Sequence, residues 1–285
     1  MGIALTALRR VGWAAVFVAI SLSGGARAQD ATPSPQPSSV APGGQKAGPT
    51  QPPVGRRAAE TPATPAVAEQ HKLPPDSTTK QTLVLPGRTL SFSATAGSIR
   101  LFDDKGEPQA DIAYTSYQLD GADRATRPVT FLFNGGPGAA SAYLQLGNNG
   151  PWRVSINADA VTPSASPDLQ PNAETWLDFT DLVYIDPVGT GYSRFVANGE
   201  DVRKRFFSVE GDAAEVALVI RRWLEKHDRL LSPKYVAGES YGGIRAPKVV
   251  RNLQREQGIG VKGLILISPV IDFRSEEHTS ELQSP

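Results

Sequence analysis

Apolar residues are spread unevenly along this chain. They form an almost unbroken run over residues 11–22, nearly vanish from Gln29 to about Pro75, and from Gln81 onward recur with the periods of secondary structure. Residues 82–85, 88–94, 98–102 and 112–118 are β-rich runs parted by turn signals at Pro86-Gly87, Gly97 and Asp103-Asp104-Lys105-Gly106, which predicts an antiparallel meander. Beyond it short apolar strands (129–133, 182–185, 235–237, 264–267) alternate with helical stretches (139–146, 209–226, 244–257). Strands that are apolar on both faces and separated by helices predict an α/β fold with a mainly parallel, doubly covered sheet. The helix from Val209 places Val216, Val219, Ile220, Trp223 and Leu224 on one face, as a helix covering such a sheet must. Ordinary helix-surface chemistry places His227 on the surface near that helix's C-terminus, where a positive charge suits the dipole. The sequence contains no internal repeat.

The N-terminal segments need a different reading. Arg9 and Arg10 precede the apolar run, and Ala26-Arg27-Ala28 puts small residues ahead of Gln29, so residues 1–28 read as a cleaved signal peptide. About twelve apolar residues rise only roughly 18 Å as a helix, short of the ~30 Å hydrocarbon core, so no stable membrane insertion is expected after cleavage. Residues 29–80 are rich in Pro, Ala, Ser and Thr and hold too few large apolar groups to offset chain entropy, which predicts a disordered spacer. An exported protein, periplasmic or secreted, follows from these two segments.

Composition narrows the chemistry. Lys plus Arg (29) balances Asp plus Glu (29), so no large net field gathers nucleic acid or an anionic membrane surface. The chain has no cysteine, which excludes disulfides, thiolate metal sites and a cysteine nucleophile.

The strand 235–237 runs into Gly238-Glu239-Ser240-Tyr241-Gly242-Gly243 and then a helix. This is a Gly-x-Ser-x-Gly elbow in its required strand-turn-helix setting, the mark of an α/β-hydrolase nucleophile. A serine on so sharp a turn needs neighbours without Cβ atoms, and the helix N-terminus sets N–H groups beside any developing oxyanion. The strand 129–133 ends in Asn134-Gly135-Gly136-Pro137-Gly138, where such a fold places its second oxyanion donor. A glycine-rich strand-to-helix turn also suits a phosphate, but no Lys-Ser or Lys-Thr pair follows it.

These two motifs, together with Asp186-Pro187-Val188-Gly189-Thr190-Gly191-Tyr192-Ser193 between them, resemble the serine carboxypeptidase family over residues 129–273. The resemblance implies Ser240 as nucleophile, the N–H groups of Gly136 and Tyr241 as oxyanion hole, and the side chains of Asn134 and Glu239 as binders of a substrate's C-terminal carboxylate. A protonated Glu239 can donate to that carboxylate, which implies activity at acidic pH. Gln145 stands where the family's second carboxylate-binding acid would fall; its amide can still donate, but the acid-pH expectation weakens. Tyr192 is a candidate pocket wall. Turn chemistry alone makes the 186–193 segment structural. Ala139-Ala140-Ser141 replaces the Cys-Ser of many relatives.

A hydrolase of this type also needs a histidine base and an acid after the nucleophile. His71 lies in the spacer, His227 precedes Ser240, and His278 lies in the last residues, so none fits; Asp272 reads as a loop residue. The string Arg274 to Ser284 matches the conceptual translation of a common sequencing-library adapter, so residues 274–285 read as a non-native tail. Residues 81–273 then form the N-terminal portion of a truncated α/β-hydrolase domain. The expectation is an exported serine-type carboxypeptidase that needs no metal or cofactor and acts on peptides or proteins with a free C-terminus. As a fragment it should be inactive and unstable, with an apolar sheet edge exposed after Ile267. Two alternatives stay open: another activity on the same fold (a proline-type aminopeptidase or an acyltransferase), or a non-catalytic exported binding module.

Overall fold

The computed structural model describes residues 72–154 and 168–272. The expected leader, the expected spacer up to His71 and the tail expected to be non-native lie outside the described residues. The strands are β1 (Ser77–Leu85), β2 (Arg88–Phe102), β3 (Pro108–Leu119), β4 (Val129–Phe133), β5 (Trp152–Val154), β6 (Leu169–Pro171), β7 (Asp181–Ile185), β8 (Arg194–Phe195), β9 (Lys234–Glu239) and β10 (Gly263–Ile267). The α-helices are α1 (Ala142–Leu144), α2 (Glu200–Phe207), α3 (Val209–Lys226) and α4 (Gly242–Arg255).

The main sheet runs β1-β2-β3-β7-β4-β9-β10, with β8 paired to β3. Strands β7, β4, β9 and β10 are mutually parallel, whereas β1, β2 and β3 form an antiparallel meander that joins them through β3 and β7. Every residue of β4 and β7 is buried, the signature of strands covered on both faces. On one face Val129, Phe131 and Phe133 of β4 cluster with Val216, Ile220 and Trp223 of α3 and with Val249 and Leu253 of α4. On the other, Leu132 clusters with Phe92, Tyr117, Leu144, Leu177 and Tyr184. Burying each such side chain contributes about 1.5–3 kcal/mol, so the apolar stripes of α3 and α4 fix how these helices sit on the sheet. Ser208 caps α3 by accepting from the N–H of Gly211.

Three local expectations need correction. Gly97 is not a turn: β2 continues through it, paired with Tyr114. A Cβ there would come within 2.6 Å of the Tyr114 ring and of Asp76, so this glycine makes room for a neighbouring side chain. The helix expected over 139–146 is only the three residues of α1, followed by a π-turn over Gln145–Asn149. Order also begins before Gln81, because β1 starts at Ser77 and pairs with β2 along its whole length. At the opposite border of the sheet, Leu264 and Leu266 of β10 are exposed. Among the described residues no helix is long and apolar enough to cross a membrane.

Candidate active site

Strand β9 delivers Ser240 to the C-terminal edge of the sheet and α4 begins two residues later, so the predicted strand-turn-helix is present. Ser240 has φ +56°, a left-handed conformation that costs a non-glycine residue about 1–3 kcal/mol and persists only where its surroundings enforce it. They do so by hydrogen bonding. The Ser240 N–H donates to the carbonyl of Ile267 at 3.0 Å, and the Ser240 carbonyl accepts from Gly243 at 2.8 Å and Val270 at 2.9 Å. A Cβ on Gly243 would lie 2.4 Å from the Val270 carbonyl, so only glycine lets the start of α4 pass this close to the chain after β10.

The loop after β4 lies against the elbow. A Cβ on Gly135 would fall 2.4 Å from the backbone nitrogen of Tyr241 and 2.9 Å from the Ser240 Cβ. Asn134 is buried, donates from Nδ2 to Glu239 Oε2 at 3.0 Å and accepts the N–H of Leu144 on Oδ1 at 3.1 Å. The Gly135 N–H also donates to Glu239 Oε2, at 3.3 Å. The structure therefore brings Asn134, Gly135, Glu239, Ser240 and Tyr241 together at the ends of β4 and β9, with Gly136 the next residue of the loop.

Beneath that point lies a pair that the motifs did not reveal. Arg245 is buried, donating from Nε to Asp212 Oδ2 at 2.7 Å and from Nη1 to the Asn134 carbonyl at 2.7 Å. Burial pushes the Asp212 carboxyl up, against the pull of Arg245 and a hydrogen bond from the Tyr241 side chain. A signal existed in the sequence: Arg245 lies on the stripe of Val249 and Leu253, and Asp212 on that of Val216 and Ile220, each four residues before the first apolar member.

The sequence model of the serine carboxypeptidase family matches residues 89–282. This chain belongs to the serine carboxypeptidase family. Serine carboxypeptidase-like 5 of Arabidopsis thaliana is 29% identical over 153 residues, which is 51% of this chain and 33% of that protein. Serine carboxypeptidase-like 17 of the same plant is 30% identical over 175 residues, 59% of this chain and 38% of that one. The chain thus spans about a third of the length of the curated relatives it matches. Among solved structures, the prohormone-processing carboxypeptidase Kex1 of Saccharomyces cerevisiae superposes with a TM-score of 0.52 at 22% identity, over 68% of this chain and 43% of that one. That likeness concerns the fold, which is that of the α/β-hydrolases.

Other residues singled out within this serine carboxypeptidase chain are placed less centrally. Gln145 opens the π-turn one residue after the Leu144 anchor, and its Nε2 donates to the Tyr117 hydroxyl at 2.8 Å. Tyr192 is 77% exposed, beside a groove it shares with Leu73, Tyr114 and Asp186. The turn that carries it is pinned by Asp186, whose carboxylate accepts the N–H groups of Ser141 at 2.9 Å and Tyr192 at 3.3 Å. Burial raises the Asp186 pKa, and those two N–H groups oppose the rise. Asp272 lies in the irregular segment after β10.

His227 is not the solvated, charged helix end that was expected. Its ring stacks on Trp223 at 4.3 Å between centroids, and Nε2 lies 3.0 Å from the Tyr114 hydroxyl. Burial, aided by the Lys226 charge, lowers its pKa from 6.5 to about 4, so it is neutral at pH 7 and gains nothing from the dipole. His71 and His278 lie outside the described residues. Among the described residues no group of three or more His, Cys, Asp or Glu is placed to hold a metal ion.

Proposed function

We propose that the full-length protein is an exported serine-type carboxypeptidase that acts through an acyl-enzyme on Ser240. The left-handed Ser240, held at a strand-to-helix elbow beside the Asn134–Glu239 pair, is the observation that carries this reading. A base supplied from outside the described residues takes the Ser240 proton while Oγ bonds to the last peptide carbonyl and the carbonyl π electrons move onto oxygen. The N–H groups of Gly136 and Tyr241 stabilise that oxyanion. Its collapse breaks the C–N bond, the protonated base gives its proton to the departing amino acid, and water then hydrolyses the ester by the same steps. Asn134 and Glu239 hold the free carboxylate of the departing residue, which selects peptides or proteins with an open C-terminus. The charged and apolar pattern of residues 1–28 supports export to the periplasm or medium, and the composition of 29–80 supports a spacer.

A fluorophosphonate should label the full-length protein, and Ser240→Ala should abolish labelling and lower peptide turnover by at least about 1,000-fold. The wild type should release the last residue of an amine-blocked peptide and leave its C-terminally amidated form intact. Cleavage from the amino end of a second peptide, amidated at its C-terminus but with a free amine, would instead establish an aminopeptidase, and an unlabelled wild type would reject the hydrolase reading altogether.

A further inference from the structure

Arg245 touches both arms of the oxyanion site. Its Nη1 holds the carbonyl of Asn134, immediately before Gly135-Gly136, at 2.7 Å. Its guanidinium carbon lies 5.6 Å from the ring centroid of Phe133 and 5.0 Å from that of Tyr241. Its Nε is fixed by Asp212 at 2.7 Å, and the Tyr241 side chain hydrogen-bonds the same carboxylate. One planar side chain thus joins the arm that carries Gly136 to the arm that carries Tyr241, through a third element, α3.

We propose that Arg245, oriented by Asp212, is a positioning residue that sets the separation of the Gly136 and Tyr241 backbone donors; this rests on the hydrolase reading above. A buried ion pair replaced by packed apolar groups is often neutral for stability, so stability alone is a weak reason to keep one here. Geometry is a stronger reason. Arg presents a rigid fork of donors, able to bond a carboxylate and a carbonyl at once while stacking on rings, which a Lys point charge cannot reproduce. Oxyanion donors work only when held close to the place the charge will occupy, and a catalytic constellation tolerates about 0.5 Å of slack. A cavity of about 400 Å³ bounded by Pro137, Gly138, Thr190, Phe207 and Tyr241 lies beside the pair, leaving the loop room to relax once the clasp is lost.

The test compares an oxyanion-forming ligand with one that forms none. In the full-length protein, wild type, Arg245→Gln, Arg245→Lys and Asp212→Asn are assayed for kcat, KM, melting temperature, and affinity for a peptide aldehyde and for the matching non-reacting peptide alcohol. Loss of alignment in Arg245→Gln should lower kcat and aldehyde affinity by about 10–100-fold, with KM and alcohol affinity held within about 3-fold. Arg245→Lys and Asp212→Asn should show the same split with smaller loss, and they carry the comparison if Arg245→Gln does not fold. Equal losses for aldehyde and alcohol, or aldehyde affinity unchanged in all folded variants, overturn the proposal. A wild type that does not bind the aldehyde covalently sinks the hydrolase reading and this inference with it. A wild type that binds it no better than Arg245→Gln sinks the inference alone.

Discussion

The two ends of strands β4 and β9 each bury an arginine, and the two arginines hold different things. At the N-terminal end Arg229 donates from Nε to Ser232 at 2.6 Å, from Nη1 to Asp181, and from Nη2 to the Arg127 carbonyl at 2.9 Å. Asp181 also pairs with Arg127 at 2.7 Å and accepts the Leu119 N–H at 2.9 Å. This cluster ties the starts of β4 and β7 to the end of β3 and to the turn after α3. Beside it Asp228 closes α3 with φ +56°, a left-handed conformation that aspartate adopts more readily than most residues. At the C-terminal end Arg245 lies beneath a serine in a left-handed conformation and a loop whose glycines admit close backbone approach. Both clusters place charge in the core beside a left-handed residue, but at one end it is an aspartate ending a helix, where that conformation costs little, and at the other a serine on a strand-to-helix turn, where it costs more. Buried ion pairs therefore divide by what they hold: Arg229 and Asp181 hold the sheet together, and Arg245 and Asp212 hold a shape that the sheet alone does not favour.

The largest effect that tests this division is at Asp181. Asp181→Ala removes the carboxylate shared by Arg127 and Arg229 and leaves both guanidinium groups without it. An uncompensated buried charge costs about 3–5 kcal/mol, to be read as a lower denaturation midpoint of the full-length protein. Turnover per folded molecule should stay within about 2-fold of wild type, since nothing at the catalytic end has changed. A large fall in that quantity would break the comparison by showing that the N-terminal cluster also shapes the site.

A smaller effect sharpens the catalytic half. Asn134→Ala removes the hydrogen bond to Glu239 and the acceptor for the Leu144 N–H. On the proposed role of Asn134, losing its hydrogen bond to a substrate's charged carboxylate should cost about 1.5–3 kcal/mol, or roughly 10–150-fold in kcat/KM on peptides with a free C-terminus. Fluorophosphonate labelling, which needs no carboxylate, should slow by less than about 3-fold. Equal losses in both assays would move Asn134 from carboxylate binding to support of the loop.

How legible these regions were in the sequence follows the same line. The parallel strands, the long helix α3 and the elbow were readable because each rests on local chemistry: apolar runs, a 3.6-residue stripe, or glycines flanking a serine. Gly97 was misread because its reason is non-local; it makes way for Tyr114 on the next strand. His227 was misread for a similar cause, since helix position predicts exposure and says nothing of the ring stacked on Trp223. Arg245 and Asp212 stood at the heads of two apolar stripes, a pattern visible in each helix separately. Only the packing of α3 against α4 turns those stray charges into a pair.

The smallest effect concerns that misread histidine, which belongs with the structural half. An imidazole titrating near 6.5 in the unfolded chain titrates at about 4 in the fold. Between those values the unfolded state binds more protons, so stability is full above pH 6.5 and drains as pH falls towards 4. With the ring half-buried and partly screened by water, the loss should be about 1 kcal/mol. The surrounding charges are Lys226, Asp76, Arg124 and Arg229, with Asp76 alone favouring protonation. In His227→Phe the aromatic ring can still stack on Trp223, but nothing titrates there. Its melting temperature should fall less steeply between pH 6.5 and 4 than that of the wild type. The pH profile of kcat/KM per folded molecule should be the same in both proteins. A shifted kcat/KM profile would tie His227 to the reacting groups and blur the line between the two ends of the sheet.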